Sequence, residues 1–385
     1  MAYTEVTSQG WFSRIGDAFK GMLFGLVLFI GSFILLGWNE GNYVGLYKAL
    51  KEGQGITVSV TSDSVDSANE GKLIHTTGLA DTKEELSDAA FKFSKVAIHL
   101  DRKVETYQWV ERVETEKKKE LGGSEKTIKT YHYDKKWSAT EQKSSGFGDP
   151  AARTNNVNPT VWKHKAQNIS ADNVTLGAFI LTPVLISSVK KPEKVVLTDE
   201  NRPDDTYKIA DGIVYSGNPA EPKIGDQRVT LSITPPSAIS LVSQQKGNSF
   251  TPYIAKNGRK LSELRMGEHT MEAMYSMAHS DNNMMTWILR GVGFFIMFLG
   301  LSLFFKPLSV LADVVPFIGS LVGAGVGIIC FLLALVLSSL TIAIAWVVVR
   351  PLVGIPLLII AGVATFFIGK KMKAAKAATP TPAES

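Results

Sequence analysis

The chain has 385 residues, a net charge of +5, 45% hydrophobic residues and one cysteine. Its mild, dispersed charge lacks the basic patch of a nucleic-acid binder, and a single cysteine excludes a disulfide framework. The apolar residues gather at the two ends, with Trp287–Gly369 almost unbroken hydrocarbon, so the composition is that of an integral membrane protein.

Residues 1–20 place Trp11, Phe12, Ile15 and Phe19 at helical spacing, with Arg14, Asp17 and Lys20 elsewhere on the wheel. They read as a cytoplasmic amphipathic segment on the membrane surface. Residues 21–38 are just long enough to cross about 30 Å of hydrocarbon at roughly 1.5 Å per residue. No small-residue cleavage site follows, and Trp38 suits an interfacial anchor, so the span is expected to be retained rather than cut as a signal peptide.

Residues 39–284 read as one β-rich α+β extracytoplasmic domain. Ile56–Val60 alternates as a strand does. Val104–Trp137 reads as a long hairpin, with Tyr107, Trp109 and Val113 on one face of its first arm and Tyr131, Tyr133 and Trp137 on one face of its second. Between the arms, the charged run Glu114–Glu120 is expected to be a solvated tip. Asp81–Ala90 and Asn168–Val189 look helical. Glu70–Gly78 echoes Asp211–Gly217, which suggests two related β units, 55–137 and 176–239. Gly225–Arg228 reads as a turn, with Arg228 pairing to a carboxylate. The methionines between Met266 and Met285 read as packing that leads into the next span, or as a greasy groove.

Residues 285–305 form the second expected span, with Arg290 about one turn inside and able to snorkel to headgroups, and Lys306-Pro307 closing it. The apolar stretch 308–349 holds a third. Two readings stand for it: one kinked helix, or an interfacial or re-entrant piece over 308–321 followed by a span. Arg350-Pro351 makes a break, and residues 352–369 form a fourth span. The tail 370–385 carries Lys370, Lys371, Lys373 and Lys376, which the positive-inside rule assigns to the cytoplasm. Four spans would put both termini there and residues 39–284 in the periplasm. The alternative setting is the endoplasmic reticulum or inner nuclear membrane of a eukaryote.

Sites for chemistry are hard to find. The six histidines make no HxH or HExxH pair, and there is no GxSxG elbow, P-loop or GxGxxG. No enzymatic activity, metal or cofactor is therefore expected. The polar residues of the membrane block are Asp313, Ser338, Ser339, Thr341, Trp346 and Arg350. They are candidates for lipid or interhelical contacts. The hydroxyls can bond to carbonyls one turn back, to a neighbouring helix or to a ligand. Arg350 can snorkel, grip a lipid phosphate or reach Asp313.

A set of strings in a fixed order resembles the LUMA family, also called transmembrane protein 43. They are Asn39-Glu40-Gly41, Val104–Glu111, Gly225–Val229, Thr286-Trp287, Gly293–Leu301, Ser339-Leu340-Thr341, Ala345-Trp346 and Arg350-Pro351-Leu352. The resemblance implies four spans and a large lumenal or periplasmic domain. In animals it implies association with lamins, emerin and further copies of itself. No catalytic residue comes with it. The missing extracytoplasmic cysteines and the lysine tail suit a prokaryotic relative. The expected function is that of a multi-pass membrane scaffold or organiser, surrounded by lipids and assembling into homo-oligomers or with membrane proteins. A lipid- or lipophile-binding module is the alternative, and a hydrolase or transporter a third reading.

Overall fold

A computed structural model describes residues 3–349 and Ile359. The chain divides into two units. A β unit contains Met1–Ser8, Lys48–Lys118 and Lys126–His279; a helical unit contains Gln9–Tyr47, Lys119–Glu125 and Ser280–Ser385. The fourth expected span and Arg350 lie outside the described residues.

Among the described residues, three helices build the helical unit: α1 (Trp11–Ile56), α2 (Met271–Ala312) and α3 (Pro316–Val349). All three are long and apolar enough to cross a membrane. Each apolar run extends without a break into a polar end, because nothing at Gly21, Trp38 or Met285 stops an intrahelical hydrogen-bond ladder. Residues 1–20 are therefore not one amphipathic segment; Tyr3–Gln9 is a strand and Trp11 already begins α1. Pro307 does not close the second span but sits inside α2, which runs on to Ala312. That settles the 308–349 stretch, since 308–312 finish α2 and α3 begins at Pro316. Leu36, Met297, Leu301, Cys330 and Ala334 form the buried core of this unit. Phe331 of α3 meets the rings of Phe294 and Phe298 edge-on, with centroids 5.4 and 6.1 Å away.

The principal strands of the β unit are β1 (Tyr3–Gln9), β2 (Leu73–Asp81), β3 (His99–Lys119), β4 (Glu125–Ser138), β5 (Gln227–Thr234), β6 (Ser237–Lys246) and β7 (Glu263–Met266). One sheet runs β1-β4-β3-β5 and continues through the short strands Ile213–Tyr215 and Lys208–Ala210. The other places β2 beside β6, with β7 also on β6 and Val58–Ser59 parallel to β2. Along β5, Gln227, Val229, Leu231 and Ile233 are buried and alternate with half-exposed Arg228, Thr230 and Ser232, the period-two pattern of a strand. Pro235-Pro236 cannot donate to a ladder, and there the chain leaves the first sheet for β6 of the second. Leu100 and Ile233 from the first sheet, with Ile98 just before it, then pack with Ile74, Ile239 and Leu241 from the second in one core.

Several local expectations change here. Asp81–Ala90 is the end of β2, the strand Glu85–Asp88 and a 3-10 turn, while Asn168–Val189 is mostly short strands with one helix, Pro183–Ser188. There Leu86, Leu176 and Phe179 pack into the sheet core instead, while Ile180 and Val184 stay exposed. Glu70–Gly78 leads into the central part of one sheet, whereas Ile213–Tyr215 lies towards an edge of the other. Residues 55–137 and residues 176–239 each contribute strands to both sheets.

Candidate functional site

Glu40 carries the most constrained polar site of the helical unit. It lies on α1 two residues after Trp38 and has no exposed surface. Arg290 of α2 meets it with two parallel hydrogen bonds, Nε to Oε1 at 2.7 Å and Nη2 to Oε2 at 2.8 Å. This fork fits a carboxylate better than a lysine would. Trp346 of α3 donates its indole Nε1 to Oε2 at 2.7 Å, so one carboxylate ties three helices. The guanidinium also stacks over the Trp287 ring at 4.7 Å and faces Trp346 at 5.9 Å. Nearby, Asn39 donates to the Thr286 carbonyl and Asn282 to the Tyr43 carbonyl, at 3.1 and 3.0 Å. Arg290 is therefore held in an ion pair and does not snorkel to headgroups.

A second polar site surrounds Asp313, in the turn between α2 and α3. Its side chain is 1% exposed and accepts from Arg14 Nη2 and from Lys119 Nζ, the latter at 2.6 Å. Arg14 also donates to the Gly123 carbonyl and lies 3.4 Å from Glu125. Gly122 N donates to the Val314 carbonyl at 3.1 Å, and Trp11 Nε1 to the Val310 carbonyl at 2.9 Å. Gly123 has a φ of +81°, and a Cβ there would strike the Trp11 ring. The β3–β4 turn is thus built into the helical unit. Residues Arg112–Lys118 are exposed as expected of a tip, but Lys119 and Gly123 are not free.

The five described candidate residues therefore do not make one site. Asp313 and Trp346 lie towards opposite ends of α3, about 45 Å apart at 1.5 Å per residue. Between them Ser338 donates to the Leu335 carbonyl at 3.2 Å and Thr341 to the Leu337 carbonyl at 2.7 Å, while Ser339 is exposed. Glu40, Arg14 and Lys119 were missed as site residues. The available signal was an acidic residue beside an interfacial tryptophan in one apolar run, and an arginine one turn inside another.

Several of the family-like strings meet in space. Asn39-Glu40, Thr286-Trp287 and Ala345-Trp346 build the Glu40 site. Gly225–Val229 lies against Val104–Glu111, with Arg228 opposite Glu105 and Gln227 opposite Thr106. The sequence pattern of the family described as "Transmembrane protein 43" matches residues 106–351. Rat transmembrane protein 43 is 32% identical over 365 residues, covering 91% of this chain and 90% of its own. This chain belongs to the transmembrane protein 43 family. The human protein is likewise 32% identical over 373 residues, 94% of this chain and 92% of its own, and the Drosophila homolog 29% over 350 residues, 88% and 91%. No solved structure matches the chain.

In this family member, the polar side chains of the β unit serve its own packing. Arg228 donates to Glu105 at 2.9 Å and stacks over Trp137 at 5.1 Å. Burial raises the Glu105 pKa, but Arg228 and Lys103 more than offset it, leaving the carboxyl below its ordinary value. Tyr133 donates to Glu111 at 2.6 Å, and burial together with that bond pushes its phenol up to about 12. His75 contacts the His269 carbonyl, His99 the Ile186 carbonyl and His164 the Tyr207 hydroxyl. A cavity of about 530 Å³ lies beside Val184, Leu185, Phe250 and Leu264, with the hydroxyls of Ser243 and Ser262 on its wall.

Proposed function

We propose that this transmembrane protein 43 relative is a membrane scaffold, not an enzyme, which assembles with itself or with other membrane proteins. The carrying observation is the Glu40–Arg290–Trp346 clamp. The strongest polar groups of the helical unit are committed to holding its helices together, while apolar side chains such as Leu23, Val27, Ile30 and Ile34 stay on its outside. A rigid unit with a greasy exterior suits packing against lipid and neighbouring helices better than it suits turnover. The lysine-rich tail supports a cytoplasmic-membrane location in a prokaryote, with that tail in the cytoplasm. Crosslinking in native membranes tests the reading: self-crosslinks or a recurring partner are expected, and a strictly monomeric chain with no enriched partner would overturn it.

A second reading, binding of a lipid or other lipophile, draws on the apolar cavity beside Val184 and Phe250. Native mass spectrometry of gently extracted protein should then retain a small apolar ligand that is lost on Leu264→Glu. Retention of nothing by the unaltered chain would end that reading.

A further inference from the structure

The β-unit cavity beside Val184 has a wall of two kinds. Leu185, Phe250 and Leu264 supply hydrocarbon; the first two belong to the buried sheet core, and Leu264 packs against it. Val184 lines the same space and is 75% exposed, so the cavity is open on that side. Its volume of about 530 Å³ falls in the range of about 300–1,000 Å³ usual for sites that take drug-sized guests.

The serines of this wall are left as acceptors. A hydroxyl has one hydrogen to give and two lone pairs with which to accept. Ser243 gives its hydrogen to the Thr251 carbonyl at 2.9 Å. In its contact with Ser262 at 3.2 Å the donor is therefore Ser262, which spends that hydrogen as well. Ser188 donates to the Val184 carbonyl at 3.0 Å. Glu263, opposite Val242 in the β6–β7 pair, adds a carboxylate to the same wall. Arg265 meets it only at 3.5 Å, longer than a charge-assisted hydrogen bond, and a carboxylate has about four acceptor sites. Lone pairs and negative charge thus face a guest whose body rests on hydrocarbon.

We propose that this cavity binds a one-tailed amphiphile with a hydrogen-bond-donating head, an alcohol or a primary amine. The tail lies on Leu185, Phe250 and Leu264, and the head donates to Ser262 and Glu263. This rests on the lipophile reading above and adds the head group to it. A fatty acid suits the wall poorly, since its carboxylate brings no hydrogen and meets Glu263 as a like charge. An ether of the same length fills the space but sets acceptor against acceptor.

The test uses the full chain in native lipid discs and an analogue of decan-1-ol with a diazirine in its tail, crosslinked peptides being located by mass spectrometry. Crosslinks are expected on the segments that hold Leu185 and Leu264. Unlabelled decan-1-ol and decylamine should displace the analogue at roughly tenfold lower free concentration than decyl methyl ether or decanoate, as one satisfied hydrogen bond provides. Ser262→Ala removes one acceptor and should shrink the alcohol-to-ether ratio several-fold; partitioning into lipid cancels from that comparison. Equal displacement by alcohol and ether in the unaltered chain, or an unchanged ratio in Ser262→Ala, overturns the head-group assignment and leaves the lipophile reading standing. The comparison of heads on the unaltered chain decides even if Ser262→Ala does not fold. Absence of any crosslink on these segments overturns both.

Discussion

Burying a carboxylate as completely as Glu40 is costly unless its charge is matched and its oxygens are occupied. Arg290 and Trp346 do both, leaving little room for a catalytic or transport role at that carboxylate. Removing one partner leaves the other charge stranded, which costs roughly 3–5 kcal/mol for a buried pair. Arg290→Ala should therefore lower the thermal midpoint sharply in detergent. Arg290→Lys should recover only part of the loss, because an ammonium cannot form the fork. Equal midpoints for Arg290→Lys and the unaltered chain would remove the fork from the account. In the β unit, burial holds the His164 imidazole below its ordinary 6.5, with Lys163 and Arg102 adding to the effect. The unfolded chain therefore takes up a proton at a pH where the folded one still resists. The contribution is complete above about 6.5 and is lost as the pH falls from there towards the lower folded value. His75 shifts the same way through burial. Stability measured from about pH 7 to about pH 5 should fall, and fall less steeply in His164→Gln, which can still bond to Tyr207 but does not titrate. Parallel slopes would show that His164 is not responsible.

The crossing of α1 and α2 depends on two glycines. A Cβ at Gly25 would sit 2.7 Å from both the Gly300 carbonyl oxygen and the Leu303 Cβ, and one at Gly300 would sit 2.7 Å from Phe29 N. These neighbours are backbone or the first side-chain atom and cannot swing away, so the helices must part. Gly25→Ala and Gly300→Ala should each cost about 1–3 kcal/mol, as overpacking does. Gly16→Ala meets nothing within 4 Å and should be neutral or stabilising by up to about 1 kcal/mol. Chemical unfolding followed by circular dichroism separates the two classes, and similar effects at Gly25 and Gly16 would contradict the crossing. At this scale the sequence was readable wherever one period ruled. The apolar runs of α1, α2 and α3 and the β3–β4 hairpin were plain. Helix ends were not, because Arg14 and Met271 continue a helix without a compositional signal. Asp81–Ala90 and Asn168–Val189 misled because short strands can mimic helical spacing when the sheet core overrides it. Asp313 and Trp346 were visible as polar residues in an apolar block. Their partners Lys119 and Glu40 lie 194 and 306 residues away, and no local pattern carries that information.

For the whole molecule, family membership and the two units frame the proposed role. Strings far apart in the sequence converge on the Glu40 clamp, so disturbing that clamp should disturb assembly and not only stability. The expected outcome for Trp346→Phe, which keeps the ring but loses the donated hydrogen bond, is a folded chain with weakened self-association or partner capture. The decisive measurement is the mass of the particle extracted in native lipid discs, for the unaltered chain and for Trp346→Phe. The account predicts a multiple of the chain mass or a stable complex with another membrane protein, diminished in the variant. A lone chain, identical in both, would contradict it.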